Sequence, residues 1–101
     1  MVQASAIRIH KNGGPDVLKL ETIQISDPGP GEILVEQKAI GLNFIDTYIR
    51  SGLYPAKLPA TPGFEGAGRV IKLGEGVTEF SVGDRVAYSS FSGTYATHVK
   101  G

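Results

Sequence analysis

The sequence predicts a mainly β domain, with short strands curling into a small, partly open barrel beside one short helix. Three observations carry this. Fourteen glycines and six prolines punctuate short apolar runs, as turns do in an all-β fold. Only one segment repeats its apolar residues at helical spacing. The helix content this leaves is far below the usual share of about a third, which weighs against a layered α/β fold.

The elements follow in order. Ala6–His10 is a strand rich in isoleucine, and Asn12-Gly13-Gly14-Pro15 is a turn. Val17–Ile25 is a second extended run, with Leu18, Leu20, Ile23 and Ile25 expected inside. Pro28-Gly29-Pro30-Gly31 makes a stiff turn, because proline fixes φ and glycine accepts positive φ. Glu32–Leu42 is the plainest strand, with Ile33 and Val35 alternating against Glu32, Leu34 and Glu36. The period then changes. Phe44, Ile45, Tyr48 and Ile49 recur at helical spacing across Asn43–Ser51, with Asn43 as N-cap, Asp46 three residues on and Gly52 as terminator. Tyr54–Pro62 is a proline-rich loop. Ala67–Leu73, Val82–Tyr88 and Thr94–Val99 complete the strands, the first two joined through a Gly74-Glu75-Gly76 turn.

The chain has 101 residues, enough for one domain with a modest core. Ten basic and ten acidic residues cancel and are scattered, so no field draws nucleic acid or an anionic membrane. There is no cysteine, hence no disulfide framework, thiol nucleophile or Cys-ligated zinc site. His10 and His98 lack ligand spacing and read as ordinary strand histidines. Met1–Lys11 has no apolar core like that of a signal peptide, and no apolar run has the length of a membrane span. A soluble cytoplasmic protein is expected.

Several catalytic motifs are absent. A dinucleotide-binding unit needs strand, G-x-G-x-x-G and helix. Gly66-Ala67-Gly68 runs on into Arg69-Val70-Ile71, and Gly74-Glu75-Gly76 into Val77-Thr78-Glu79, so both lack the third glycine. There is also no P-loop, no G-x-S-x-G and no H-E-x-x-H.

Two segments carry a more specific signal. One is Gly41-Leu42-Asn43-Phe44-Ile45-Asp46-Thr47-Tyr48-Ile49-Arg50-Ser51-Gly52-Leu53-Tyr54-Pro55. The other is Pro62-Gly63-Phe64-Glu65-Gly66-Ala67-Gly68-Arg69-Val70, continuing through Gly74-Glu75-Gly76-Val77 to Val82-Gly83-Asp84-Arg85-Val86. Together they resemble the N-terminal, GroES-like barrel domain of the medium-chain dehydrogenase/reductase superfamily, over essentially the whole chain. The departures are informative. Where the zinc enzymes of that superfamily carry ligand cysteine and histidine, this chain has Asn43 and Phe64. Asparagine is a poor zinc ligand and phenylalanine is none. The cysteine-rich structural-zinc lobe is replaced by the short, cysteine-free Ser89–Thr94 stretch. The combination resembles the zinc-free quinone oxidoreductase (zeta-crystallin) branch.

That resemblance implies NADPH as cofactor, no zinc, and a small-molecule quinone as substrate. It also implies a Rossmann domain, absent from residues 1–101, that binds most of the cofactor and closes the cleft. The chain is thus expected to be the substrate-side domain of a longer enzyme, inactive or nearly so alone, and the full-length protein a homodimer. A quinone is already electrophilic and needs no Lewis acid, so positioning, water exclusion and proton supply are left to the protein.

The resemblance places Asn43, Phe44, Ile45, Asp46 and Thr47 along the nicotinamide half of NADPH. Helix capping alone also accounts for Asn43, and the helix N-terminus for Asp46; a hydrogen-bonding, orienting role in the cleft is the alternative for Asp46. Tyr48 and Tyr54 are the candidates for the substrate wall, where either hydroxyl could donate to a quinone oxygen. Their plainer readings are a core or cleft-edge aromatic and a loop anchor. Glu65 reads either as a residue near the cleft floor or as a strand-start ion pair. Arg50 offsets the dipole at the helix end. Asp84-Arg85 serves a tight turn and ion pairing, and Gly63, Gly66 and Gly68 allow close packing. The enzymatic rival is a metal-free enoyl or alkenal reductase of the same superfamily. The non-enzymatic rivals are a GroES-like co-chaperone and a crystallin-like structural protein.

Overall fold

The computed structural model describes residues 1–89 and 91–101, arranged as two antiparallel sheets. Ser90, within the Ser89–Thr94 stretch read above as short and cysteine-free, lies outside the described residues. Strand β1 (Val2–Arg8) pairs along its whole length with β2 (Lys19–Ile25), across a short 3-10 turn at Pro15–Val17. The larger sheet is built from β3 (Ile33–Ile40), β4 (Gly66–Leu73), β5 (Arg85–Tyr88) and β6 (His98–Lys100), in the order β5-β4-β3-β6. Helix α1 (Phe44–Ser51) follows β3 directly.

One segment connects the two sheets. Ala96 bridges Ala6, Thr97 N–H donates to Ser5 carbonyl at 2.8 Å, and Gln37 N–H donates to Thr97 carbonyl at 2.8 Å. Residues 94–97 therefore serve both sheets, and the regular strand expected over Thr94–Val99 is confined to β6. The sheets do not close into a continuous ring, so the partly open, mainly β barrel is the observed fold.

The core is centred on Ile33, Val35, Val70 and Val99, with Leu73, Val77, Val86, Tyr88 and Phe91 packed around it. Leu34 is also buried, at 2% exposure, where strict alternation expects an outward residue. β3 is internal to its sheet, with β4 and β6 on its two sides, and at its start both faces are covered. Leu20 departs the other way. It is 73% exposed, because within β2 the covered positions are Glu21, Ile23 and Ile25, and Leu20 shares the opposite face with Thr22 and Gln24. Leu18, expected inside with it, lies before the strand and is half-buried.

Two local features shape the larger sheet. A Cβ at Gly68 would sit 2.1 Å from the Glu36 carbonyl oxygen, beside a register shift at Gln37/Ala39. Only glycine lets β3 and β4 approach this closely. The run expected from Val82 becomes β5 only at Arg85, because Asp84 closes a turn first. Its N–H donates to Ser81 carbonyl at 3.0 Å, and its carboxylate accepts from Ser81 N–H at 2.9 Å.

Candidate active-site edge around helix α1

α1 forms for local reasons. Asn43 has extended φ and ψ, and its N–H donates to Asp46 Oδ2 at 3.0 Å, while Asp46 N–H returns to Asn43 carbonyl at 3.1 Å. This satisfies donors that a helix start leaves orphaned. Gly52 ends the helix at φ 91°. Arg50 Nε donates to Gly13 carbonyl at 3.2 Å, and Gly13 N–H donates to Arg50 carbonyl at 3.0 Å. Arg50 thus ties the helix end to the first turn of the chain as well as facing the dipole.

The helix is turned inside out relative to a surface helix. Its acidic residue, Asp46, is buried at 3% exposure, whereas Phe44 is 82% exposed and Ile45 and Tyr48 are also open to solvent. A buried carboxylate is costly unless hydrogen-bonded. Here Oδ2 also receives the Tyr95 hydroxyl at 2.6 Å, while Oδ1 is buried with no hydrogen-bond partner among the described residues. Burial, and then the Asp46 carboxylate, push the Tyr95 phenol far above its usual value, with Arg50 opposing weakly. Asp46 and Tyr95 border a small recess with Leu18, Leu42, Thr47, Arg50 and Pro62.

On the outer side, Leu42, Asn43, Phe44 and Thr47 line a shallow recess of about 220 Å³. Thr47 Oγ1 donates to Phe44 carbonyl at 2.6 Å, within the helix. Tyr48 and Tyr54 come together edge to face, and both are partly exposed. The fold therefore groups Asn43, Phe44, Ile45, Thr47, Tyr48 and Tyr54 on or beside one helix, with Asp46 on its inner side. Glu65 lines a different recess, with Ala39, Ile40, Gly41, Gly66, Ala67 and Tyr88. Its carbonyl accepts from Gly41 N–H at 3.0 Å.

A cavity of about 460 Å³ between β5, Gly31 and Gly101 contains none of the side chains the sequence singles out for cofactor or substrate. Among the described residues, no group of three or more His, Cys, Asp or Glu is placed to hold a metal. Sequence reasoning missed Tyr95. Nothing in the local pattern of Gly93-Thr94-Tyr95-Ala96 pairs it with a residue 49 positions earlier.

Comparison with known proteins agrees with this fold. The model for the alcohol dehydrogenase GroES-like domain matches residues 29–100. A quinone oxidoreductase of Pseudomonas aeruginosa is 56% identical over 88 residues, covering 86% of this chain and 27% of that protein. The structure of Escherichia coli quinone oxidoreductase complexed with NADPH superposes with a TM-score of 0.88 at 47% identity, covering 94% of this chain and 30% of that one. A 2-haloacrylate reductase of Burkholderia sp is 46% identical over 90 residues, 85% of this chain and 26% of that protein. The chain thus spans between a quarter and a third of the length of these relatives. It belongs to the alcohol dehydrogenase GroES-like domain family, and its likeness within that family runs to the quinone oxidoreductases.

Proposed function

We propose that this chain is the substrate-side domain of a zinc-free, NADPH-dependent quinone oxidoreductase, its cleft completed by a Rossmann domain elsewhere in a longer, cytoplasmic, homodimeric protein. The observation that carries the reading is the inverted helix. Its apolar and aromatic side chains face outward at an edge, as they would where a second domain and flat ligands cover them. The likeness to an oxidoreductase complexed with NADPH supports the cofactor. The composition, without cysteine, supports the cytoplasm. No helix among the described residues is long and apolar enough to cross a membrane.

The residues present fit one end of such a cofactor. The recess at Leu42, Asn43, Phe44 and Thr47 has apolar walls and one amide, suited to a nicotinamide ring and its carboxamide. It contains no lysine or arginine for phosphates, which fall to the other domain. NADPH, when bound, supplies the reducing equivalents. This chain's part is to border the ring with Asn43, Phe44, Ile45 and Thr47, and to keep water from it with Leu42 and Phe44. Tyr48 and Tyr54 wall the quinone and offer hydroxyl donors to its oxygens, where negative charge develops on reduction. Asp46 orients the first turn, and Glu65, in its own recess beside Gly41, would serve the cleft floor. Asparagine at 43 and phenylalanine at 64 leave a zinc ion without the donors it needs there.

The test is to express the natural, uninterrupted reading frame and follow NADPH absorbance with saturating 1,4-benzoquinone and excess EDTA. Rapid oxidation is expected. A folded protein that binds NADPH yet leaves the quinone untouched would sink the assignment. The likeness to a 2-haloacrylate reductase favours one second reading, reduction of a C=C bond conjugated to a carbonyl. A panel of acrylates and alkenals in the same assay separates the two.

A further inference from the structure

Helix α1 is tied to the barrel differently at its two ends. Its last turn is held through the reciprocal backbone and side-chain bonds of Arg50 and Gly13. Its first turn carries Asn43, Phe44 and Thr47, and there the reach from the barrel, among the described residues, is one side-chain hydrogen bond, from the Tyr95 hydroxyl to Asp46 Oδ2 at 2.6 Å. An eight-residue helix has little stability of its own, so such ties decide where it sits.

Tyr95 is itself rigidly placed. Its N–H donates to Pro62 carbonyl at 2.9 Å, and its carbonyl accepts from Ile7 N–H at 2.8 Å. The next residue, Ala96, bridges Ala6 in β1. Its phenol stays protonated well beyond neutral pH and remains a donor. Asp46 Oδ2 passes the constraint on, because the same oxygen accepts Asn43 N–H. A continuous path therefore runs from β1 and the Pro62 loop, through Tyr95 and Asp46, to the backbone of Asn43.

We infer that Tyr95 is a positioning residue: through Asp46 it fixes where the first turn of α1 presents Asn43 and its neighbours to the nicotinamide half of the cofactor. This rests on the NADPH-dependent reading above. Tyr95 acts through another residue, so its loss should change cofactor placement and leave the chemistry of the bound complex largely intact.

The experiment uses the longer natural protein, with NADPH affinity measured by titration calorimetry and hydrogen exchange followed across residues 43–52. Tyr95→Phe should weaken NADPH binding about tenfold, the scale of one hydrogen bond to a charged group. The KM for NADPH should rise while kcat stays within about twofold. Exchange should quicken at residues 43–47 and not at Arg50–Gly52. Asp46→Ala should lose at least as much affinity as Tyr95→Phe, because it also removes the acceptor of Asn43 N–H, and adding Tyr95→Phe to it should change little, as for coupled residues. Asp46→Asn keeps an oxygen that accepts from Tyr95, and should hold affinity within about threefold. Val99→Ala, in the core away from the helix, should lower thermal stability without changing affinity.

Unchanged affinity in Tyr95→Phe overturns the inference, as does an equal loss in Val99→Ala. If Tyr95→Phe does not fold, the contrast between Asp46→Asn and Asp46→Ala decides, and identical behaviour overturns it. A wild-type protein that binds no NADPH overturns the functional reading and this role together, and is recognised before any variant is made.

Discussion

The ring of Tyr54 stands edge-on to that of Tyr48, with centroids 5.4 Å apart and planes at 67°, and Tyr54 N–H donates to the Tyr48 carbonyl at 3.2 Å. The loop is thereby fastened to the helix by both ring and backbone at its first residue. Tyr48→Ala and Tyr54→Ala should each lose the ring contact, worth about 0.5–1.5 kcal/mol. Their effects on the unfolding midpoint should be less than additive in a double-mutant cycle. In the proposed longer oxidoreductase, Tyr54→Phe keeps the ring pair but removes a hydroxyl, so quinone kcat/KM should fall while stability holds.

Gly68→Ala should be among the most damaging small substitutions. Its Cβ would meet backbone, the Glu36 carbonyl oxygen at 2.1 Å and Gln37 Cα at 2.8 Å, and neither can swing aside. The expected loss is about 3 kcal/mol, the upper end for overpacking. Gly76→Ala has nothing within 4 Å, but φ of +83°. It should cost about 1–2 kcal/mol from left-handed backbone alone. Urea midpoints at unchanged slope would check both.

Leu34→Ala should destabilise by about 2–5 kcal/mol, as for a filled core position. Leu20→Ala should fall within about 0.5 kcal/mol, since the side chain is mostly in water. The comparison is best made by thermal unfolding of the proposed longer protein as well. A large loss at Leu20 there would show that another part of that protein covers it.

Asp27 gives an acid-limb prediction. The hydrogen bond from Lys72, and then the N-terminal ammonium, hold its carboxyl at about 2 against an ordinary 3.8. A depressed folded value means the contribution is present above the unfolded value and is lost as pH falls from about 4 toward 2. Asp27→Asn should therefore flatten the dependence of the unfolding midpoint on pH across that window. The partners are more than half exposed, so the effect is small and salt should shrink it further. Glu36 is lowered by Lys38 in the same direction, which makes the variant comparison necessary.

What could be read from the sequence was what local chemistry decides. The Asn43–Asp46 cap and the Gly52 stop lie within ten residues, and the helix falls where they put it. Alternation was a weaker guide because it presumes one wet face. Leu34 broke it by lying in an internal strand covered on both sides. Leu18 and Leu20 differ in parity from Ile23 and Ile25, so one regular strand could not turn all four inward. At the site, the helix and its following loop bring Tyr48 to Tyr54 within seven residues of chain. Asp46 and Tyr95 meet only because the barrel returns residues 94–97 to β1, and no short-range pattern encodes that.

That returning segment also governs the order of events as the chain is made. β1 with β2, and β3 with β4, are neighbouring runs and can pair early. Ser5 must wait for Thr97, 92 residues later, before the two sheets are joined. Long-range closure of this kind is slow. Until it happens, a nascent chain on the ribosome carries β1 with one edge unpaired, open to a chaperone or to another copy of itself.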